Sequence, residues 1–377
     1  VGLTTEVWEK PHPMKTTTKY CLRFPVSWAT YLIAILVFFG LPEPARTGTP
    51  PAEGRQEFIS LCIGFYNVEN LFDTINDPEI RDEEFTPEGV NRWTGARYLE
   101  KLENLAEVIH KMGQELNADG PAVLGLSEVE NRAVLEDLAA QEAIRDRHYQ
   151  VVHYEGPDAR GVDVAFLYQP KYFTYISSKA YPTVIEGMPD FRTRDQLLLT
   201  GELLGERMHF IVAHWPSRRG GERRSRPLRI AKADIARHII DSIQGAEPGA
   251  KIFFMGDLND NPTDVSVRRH LRSRGQAEDV GEDELFNPFE SLYRRGIGSN
   301  AWRDSWSLFD QILLSPGLLG DDYRSFRFFR AEVFNRPFLR QSSGRFQGYP
   351  FRTYGSGVYL GGYSDHFPTY VFLIRER

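Results

Sequence analysis

Apolar residues beyond position 57 fall into short runs separated by polar punctuation. Runs at 58–66, 122–126, 149–154, 162–168, 196–203, 208–214, 251–255, 308–314 and 369–374 are rich in Val, Ile, Leu, Phe and Tyr. Each is bounded by Gly, Pro, Asp or Asn, which is the pattern of strands. A 3.6-residue period replaces it at 98–112, where Leu102, Leu105, Ile109 and Met112 share a face. The same period recurs at 133–144 and at 228–243, where Ile230, Ile235, Ile239 and Ile243 form a stripe. Many strands with a few interspersed helices predict an α/β chain of sheets packed face to face with helices outside them. Residues 58–377 contain no linker, repeat or low-complexity block, so one domain is expected. The Arg- and aromatic-rich stretch 324–352 has no assignable period.

The pattern differs upstream. Lys15, Lys19 and Arg23 precede the apolar stretch 28–41, and a Pro-rich segment follows at 42–51. A basic start, a short apolar middle and a polar exit match a secretory signal peptide. The stretch is short against the ~20 apolar residues of a spanning helix, and an uncleaved membrane anchor over 28–41 is the alternative. The chain therefore divides into an upstream segment, signal peptide and linker at 1–56 and a folded domain at 57–377, exported to the periplasm or beyond. Cleavage near Ala45 or Ala52 would leave Cys62 without Cys21 and exclude an internal disulfide. Stability then rests on the core, for which 41% hydrophobic residues suffice. Residues 1–56 hold six Lys/Arg and four Asp/Glu, so the net charge of −7 leaves −9 for the folded domain. Such a domain grips a polyanion only through a local basic patch. No protein partner is implied, and a monomer is expected.

Five apolar runs carry at one end polar groups that a core does not need. They lead to Asn67, to Ser127-Glu128, to His214 and to Asp257-Leu258-Asn259, while Ser364-Asp365-His366 precedes the last run. Rigid strands fix such residues while adjoining loops admit substrate. Taken singly, each has an ordinary reading: Asx residues form turns, and Glu128 could cap the following helix. Together they suit one chemistry. A hard cation such as Mg²⁺ (or Mn²⁺) takes oxygen ligands, often one or two carboxylates plus water and phosphate. Glu128 and Asp365 could supply the carboxylates and Asn67 a neutral oxygen. Asp257 and Asn259, two apart on extended backbone, point to one side and could hold a water in line with phosphorus. His214 and His366 could donate to charge developing on phosphate oxygens. The signatures of zinc proteolysis, P-loop nucleotide hydrolysis and serine esterase chemistry do not occur.

Seven segments carry a family resemblance: FYNVENLFD (65–73), GLSEVEN (125–131), RGVDVAFLY (160–168), IVAHWPSR (211–218), FMGDLNDNP (254–262), SLFDQILLS (307–315) and GYSDHFP (362–368). In content and order they resemble the endonuclease/exonuclease/phosphatase superfamily, which includes deoxyribonuclease I-like enzymes. The resemblance implies a four-layer sandwich of two packed mixed sheets flanked by helices. It further implies a divalent-metal-dependent phosphoesterase, with Glu128 as main metal ligand assisted by Asn67 and Asp365. Asp257 would orient and deprotonate the attacking water, and Asn259 would position it or the phosphate. His366, held by Asp310, would stabilise the transition state, and His214 would assist at the phosphate or leaving group. Arg160 would touch phosphate, although an Arg before Gly could equally be a turn residue. Several nuclease members carry an acid two positions after the first Asn; here Glu69 stands there, and Glu69, Asp73 or neither reaches the metal.

The basic run 217–238 bears on the substrate. It holds Arg218, Arg219, Arg223, Arg224, Arg226, Arg229, Lys232 and Arg237 against Glu222 and Asp234. Because it follows His214, Arg218 and Arg223 are expected at the substrate phosphates, where guanidinium forks suit phosphate oxygens. The plain alternative is a solvated loop feeding a helix. Trp215, Trp302 and Trp306 could stack bases or fill the core. Three readings follow: a nuclease acting on DNA or RNA, a small-diester or lipid-headgroup phosphoesterase, and a catalytically silent binding module, which the intact polar set disfavours.

Overall fold

The computed structural model describes residues 57–185 and 187–377; the expected signal peptide and linker lie outside them. Two mixed sheets form the domain. The first is ordered β14 (Arg327–Val333), β17 (Thr369–Glu376), β1 (Phe58–Leu71), β2 (Pro121–Val129), β4 (Asp163–Tyr168), β3 (Gln150–His153). The second is ordered β5 (Phe173–Tyr181), β6 (Gln196–Leu203), β7 (Glu206–His214), β8 (Ile252–Asp257), β13 (Asp310–Leu314), β10 (Leu285–Phe286), β9 (Ser273–Arg274). Two small hairpins, β11 (Asn300–Trp302) with β12 (Ser305–Ser307) and β15 (Tyr354–Gly355) with β16 (Val358–Tyr359), project from loops.

The sheets approach closely through small residues and aromatics. A Cβ on Gly125 of β2 would lie 2.6 Å from Met255 Sδ of β8 and 3.1 Å from Val212 of β7, so any larger residue there would have to displace the Met255 side chain. Phe166 of β4 meets Phe210 of β7 at 6.4 Å between ring centroids. Each such buried side chain stabilises the fold by about 1.5–3 kcal/mol relative to exposure.

Helix α1 (Gly95–Lys111) buries Leu102, Leu105 and Ile109 in the core of the first sheet, as its period predicts. It begins three residues before the predicted stretch because Thr94 Oγ1 accepts the Arg97 N–H as an N-cap. Helix α2 (Arg132–Ala139) is capped by Asn131 and is shorter than predicted. Helix α3 (Glu222–Ala246) covers the second sheet, packing Ala233, Ala236, Ile239 and Ile240 against Ile211, Phe254 and Leu313. It starts six residues before the predicted stretch and passes through Pro227. Its buried face also holds Arg229, Lys232 and Arg237, so the predicted isoleucine stripe is only partly the buried one. A short fourth helix, α4 (Phe289–Arg294), follows β10. Strand β5 escapes the apolar-run criterion because it is a largely solvated edge strand. Part of the unassigned stretch 324–352 forms β14, an edge strand of the first sheet.

Candidate active site

Strand register collects the polar strand ends. Strands β1 and β2 run parallel with Asn67 opposite Ser127, which brings Glu128 beside Asn67. Strands β7 and β8 run parallel with His214 opposite Asp257, and antiparallel β13 begins with Asp310 opposite the same Asp257. The loop before β17 supplies Asp365 and His366. Together these ends floor a cleft of about 820 Å³. The backbone here is strained: Glu69, Asn70, Glu128 and Asn259 have φ of 50°, 52°, 64° and 49°. Left-handed non-glycine residues of this kind cost about 1–3 kcal/mol each and persist where surrounding structure over-determines them. At Asn67–Leu71 the β1–β2 register slips, so β1 bulges and continues past the expected end at residue 66.

Asp257 is the hub. The Asn67 amide nitrogen donates to Asp257 Oδ2 at 3.0 Å and to Glu128 Oε1 at 3.2 Å, bridging two carboxylates. The Asn259 N–H donates to Asp257 Oδ1 at 2.9 Å. His214 Nε2 lies 3.6 Å from Asp257 and 3.8 Å from Glu128, and His366 Nε2 lies 3.8 Å from Asp257. Burial pushes the Asp257 carboxyl up to about 7, against the attraction of His366 and the Asn259 N–H and helped by repulsion from Asp310 and Glu128.

The two imidazoles are driven apart. Burial and the positive charges of Arg194 and Arg160 hold His214 well below its ordinary value, so it is neutral at pH 7. His366 is also buried, but the carboxylates of Asp310, 2.7 Å from its Nδ1, and of Asp257 outweigh that and raise it well above the usual range. Ser299 Oγ donates to the same Asp310 oxygen and fixes it. Asn300 Nδ2 sits 3.2 Å from His366 Nε2, a contact that suits only a neutral ring. The charged form is the one supported by the facing carboxylates, and it requires the Asn300 amide to turn its oxygen inward.

Several expected site residues are placed differently. Asn67 presents its amide nitrogen to the carboxylates, while its oxygen accepts the Glu69 N–H at 3.0 Å. Glu69 is buried beside the cleft: Arg352 bridges its Oε1 (3.2 Å) and Asp365 Oδ2 (3.0 Å), and the Thr353 N–H donates to Oε2 at 2.7 Å. Asp73 instead accepts from the Asn131 amide and the Ile75 N–H, organising its own loop. Arg160 lines the cleft, and its backbone N–H donates to Asp158. Arg218 also lines it, but its guanidinium bonds Asp260, Asp264 and the Asn259 carbonyl. Arg223 is exposed on α3 and does not line the cleft, contrary to the expectation from its distance to His214.

The rest of the basic run is largely internal. Arg229 is fully buried with Nε 2.7 Å from Asp260, and Arg226 pairs with Glu222. Buried Lys232 donates to Thr183 Oγ1 and the Arg194 carbonyl, and Arg237 bonds Asp241 and Gln244. Among the aromatic candidates, Trp215 is core, Trp306 stacks on Phe367, and Trp302 is exposed at the cleft rim. Sequence reasoning missed Arg194, a buried arginine that lines the cleft through bonds to Asp158 (2.9 Å) and the Trp215 carbonyl (2.9 Å). It also missed Asn300 and Arg352. Asn300 and Arg352 stand at the short hairpin strands β11 and β15, which no apolar run marks, and Arg194 stands in the polar stretch before β6, outside every segment that carries the family resemblance.

Two stacked mixed sheets, helices outside and one polar cleft at the strand ends define a four-layer α/β sandwich. The chain belongs to the Endonuclease/Exonuclease/phosphatase family, whose profile matches residues 62–375. Solved structures agree on the fold. An endonuclease/exonuclease/phosphatase family protein from Bacteroides thetaiotaomicron is 16% identical with a TM-score of 0.50, covering 85% of this chain and 97% of its own. A mannosyl-6-phosphatase from the same organism is 16% identical, also at 0.50, covering 83% and 99%. A humanized TDP2 of D. rerio is 15% identical at 0.50, covering 83% and 98%. A search of the curated proteins found no match.

Proposed function

We propose that the chain is a divalent-metal-dependent phosphoesterase that hydrolyses a phosphodiester by in-line attack of water. The observation that carries this reading is Asp257 held between Asn67, Glu128, His214 and His366 at the floor of the cleft. A mannosyl-6-phosphatase of the same fold accords with phosphate-ester chemistry on this scaffold.

The donor set fits a hard cation. Glu128 and Asp365 offer carboxylate oxygens at the cleft, and burial, with the Asp365 charge second, raises neighbouring Glu69 to about 7. Mg²⁺ or Mn²⁺ there would neutralise phosphate charge and polarise the phosphoryl oxygens. Glu128 and Asp365 would hold it; Asn67, whose oxygen is engaged, would space Glu128 from Asp257. Asp257 accepts the proton of the attacking water. Asn259, whose amide nitrogen bonds the Trp215 carbonyl at 3.1 Å, turns its oxygen toward that water or the phosphate. His366, charged and oriented by Asp310, donates from Nε2 to the charge that develops in the transition state. Neutral His214 donates to the phosphate or leaving group, with Arg160 and Arg194 on the cleft wall as phosphate ligands.

A nuclease would use Arg219, Arg223 and Arg224, whose guanidiniums have no carboxylate partner among the described residues, with Trp302 as a stacking surface. One observation favours a small or terminal diester instead. Five of the eight cations in the run are tied to the protein's own groups, and the cleft volume suits a ligand of nucleotide size. The decisive experiment is product release from DNA, RNA, nucleotide diesters, sphingomyelin and phosphoinositides with Mg²⁺, Mn²⁺ or Ca²⁺. Turnover that stops in chelator and returns with Mg²⁺ or Mn²⁺ is expected; full activity in excess chelator would exclude the mechanism.

A further inference from the structure

We propose a second divalent-cation site, separate from the cleft floor, formed by His153, Glu155 and Asp163. His153 ends β3, Asp163 begins β4, and Glu155 lies on the loop between them. Ligand atoms from the three residues all lie within 4.8 Å of one another. The His153 side chain is only 2% exposed, yet its Nε2 makes no hydrogen bond. A buried imidazole nitrogen without a partner costs about 1–3 kcal/mol and calls for an explanation.

The geometry supplies one. His153 Nε2 lies 3.4 Å from Asp163 Oδ2 without forming a hydrogen bond, so the two groups are not aimed at each other. Ligands of one metal point at the ion instead. Tetrahedral donors at ~2.0–2.2 Å from an ion stand about 3.4 Å apart. Glu155 Oε1 is 3.7 Å from the other ring nitrogen, and its side chain is 71% exposed, free to swing onto an ion at Nε2. Gly156 N–H donates to Asp163 Oδ2 at 3.1 Å and holds that carboxylate toward the ring. One imidazole with two carboxylates suits a borderline cation such as Zn²⁺ better than Mg²⁺ or Ca²⁺, which prefer all-oxygen sets.

The site ties together the two ends of the loop that carries Asp158 and Arg160. Asp158 accepts from the Arg160 N–H at 2.9 Å and from the Arg194 guanidinium at 2.9 Å, and both arginines line the cleft. A bound ion would therefore clamp the platform from which the cleft arginines project, through residues that do not themselves line the cleft.

The test is Zn²⁺ titration of the purified chain in excess Mg²⁺, with bound Zn²⁺ counted by native mass spectrometry. Wild type is compared with His153→Ala and with Glu155→Gln, whose exposed side chain can change without unfolding the protein. Wild type should hold one more Zn²⁺ per chain than His153→Ala, and Glu155→Gln should bind that ion at least tenfold more weakly. With Co²⁺ as probe, wild type should show a tetrahedral visible absorption that His153→Ala lacks. Equal stoichiometry and affinity in all three chains, with no difference in the Co²⁺ spectrum, would overturn the site. These readouts do not use turnover, so they stand or fall independently of the phosphoesterase reading.

Discussion

Two polar regions of this molecule meet opposite fates on folding. The cleft floor draws Asn67, Glu128, His214, Asp257, Asp310 and His366 from segments up to about 300 residues apart and sets them around one carboxylate. The basic run is continuous in sequence, yet the fold disperses it. Arg229 and Lys232 turn into the core, Arg226 and Arg237 pair along α3, Arg218 clamps the Asp260 loop, and Arg223 and Arg224 face solvent. A strand delivers its last residue to a fixed place, whereas a helix sends neighbouring residues in different directions every 100°. Strand-end polarity is therefore the better guide to a site than charge density along the chain.

The sharpest way to break this contrast is at Asp257. Asp257→Asn should lower kcat by about 10²–10⁴-fold, the usual contribution of a general base. A near-normal rate would return the base to another group. The same substitution carries a stability signature with a definite sign. A carboxyl raised to about 7 binds its proton more tightly folded than unfolded, so it lowers stability as pH rises from about 4 to 7. In chelator, Asp257→Asn should thus melt above wild type at pH 8, and the gap should narrow toward pH 4. A constant gap across that range would show that Asp257 is not raised.

On the side of the basic run, the largest effect should be structural. Arg229→Met removes the fully buried cation of Asp260 and leaves it only the half-buried Arg218, so the loss should approach, without reaching, the roughly 3–5 kcal/mol of a wholly unpaired buried charge. The midpoint of urea unfolding should fall accordingly, with the KM of the surviving folded enzyme little altered. A stable variant with a selectively raised KM would return Arg229 to substrate binding.

Asp310→Asn should have a smaller catalytic effect than Asp257→Asn, because Asp310 acts through His366. Its mark is in the pH profile: with its nearest carboxylate neutral, His366 loses its proton at lower pH, and the alkaline limb of kcat should move down. An unmoved limb would detach Asp310 from His366.

The smallest effect is expected from Arg223, Arg224 and Arg226 replaced together by Ala. Three phosphate contacts on a duplex would give a logarithmic salt slope of about −2.7, which the triple variant would flatten. Because Arg226 pairs with Glu222 and Arg223 lies off the cleft, KM against salt should instead match wild type for both a duplex and a chromogenic diester. A steep wild-type slope abolished in the variant would restore the polymeric nuclease reading.

Much was determined by the sequence alone. The short apolar runs and the period-3.6 stretches located most core strands and helices α1, α2 and α3, because burial imposes those patterns locally. The polar residues after strands marked the candidate cleft, because a strand end is the one place where local pattern and spatial position coincide. What a strand end meets was decided by tertiary structure. The parallel register of β7 on β8 sets His214 against Asp257, and the Glu69 N–H, in the bulge that follows Asn67, engages the Asn67 oxygen so that its nitrogen faces the carboxylates. Edge strands β5 and β14 left no local mark, since residues exposed or half-exposed on both faces do not form the apolar run that burial requires. Arg194 reaches the cleft through Asp158 and the Trp215 carbonyl, and Arg229 leaves it for Asp260. A long charged side chain finds its place by the partner that offsets its desolvation, and that partner is known only once distant segments have been brought together.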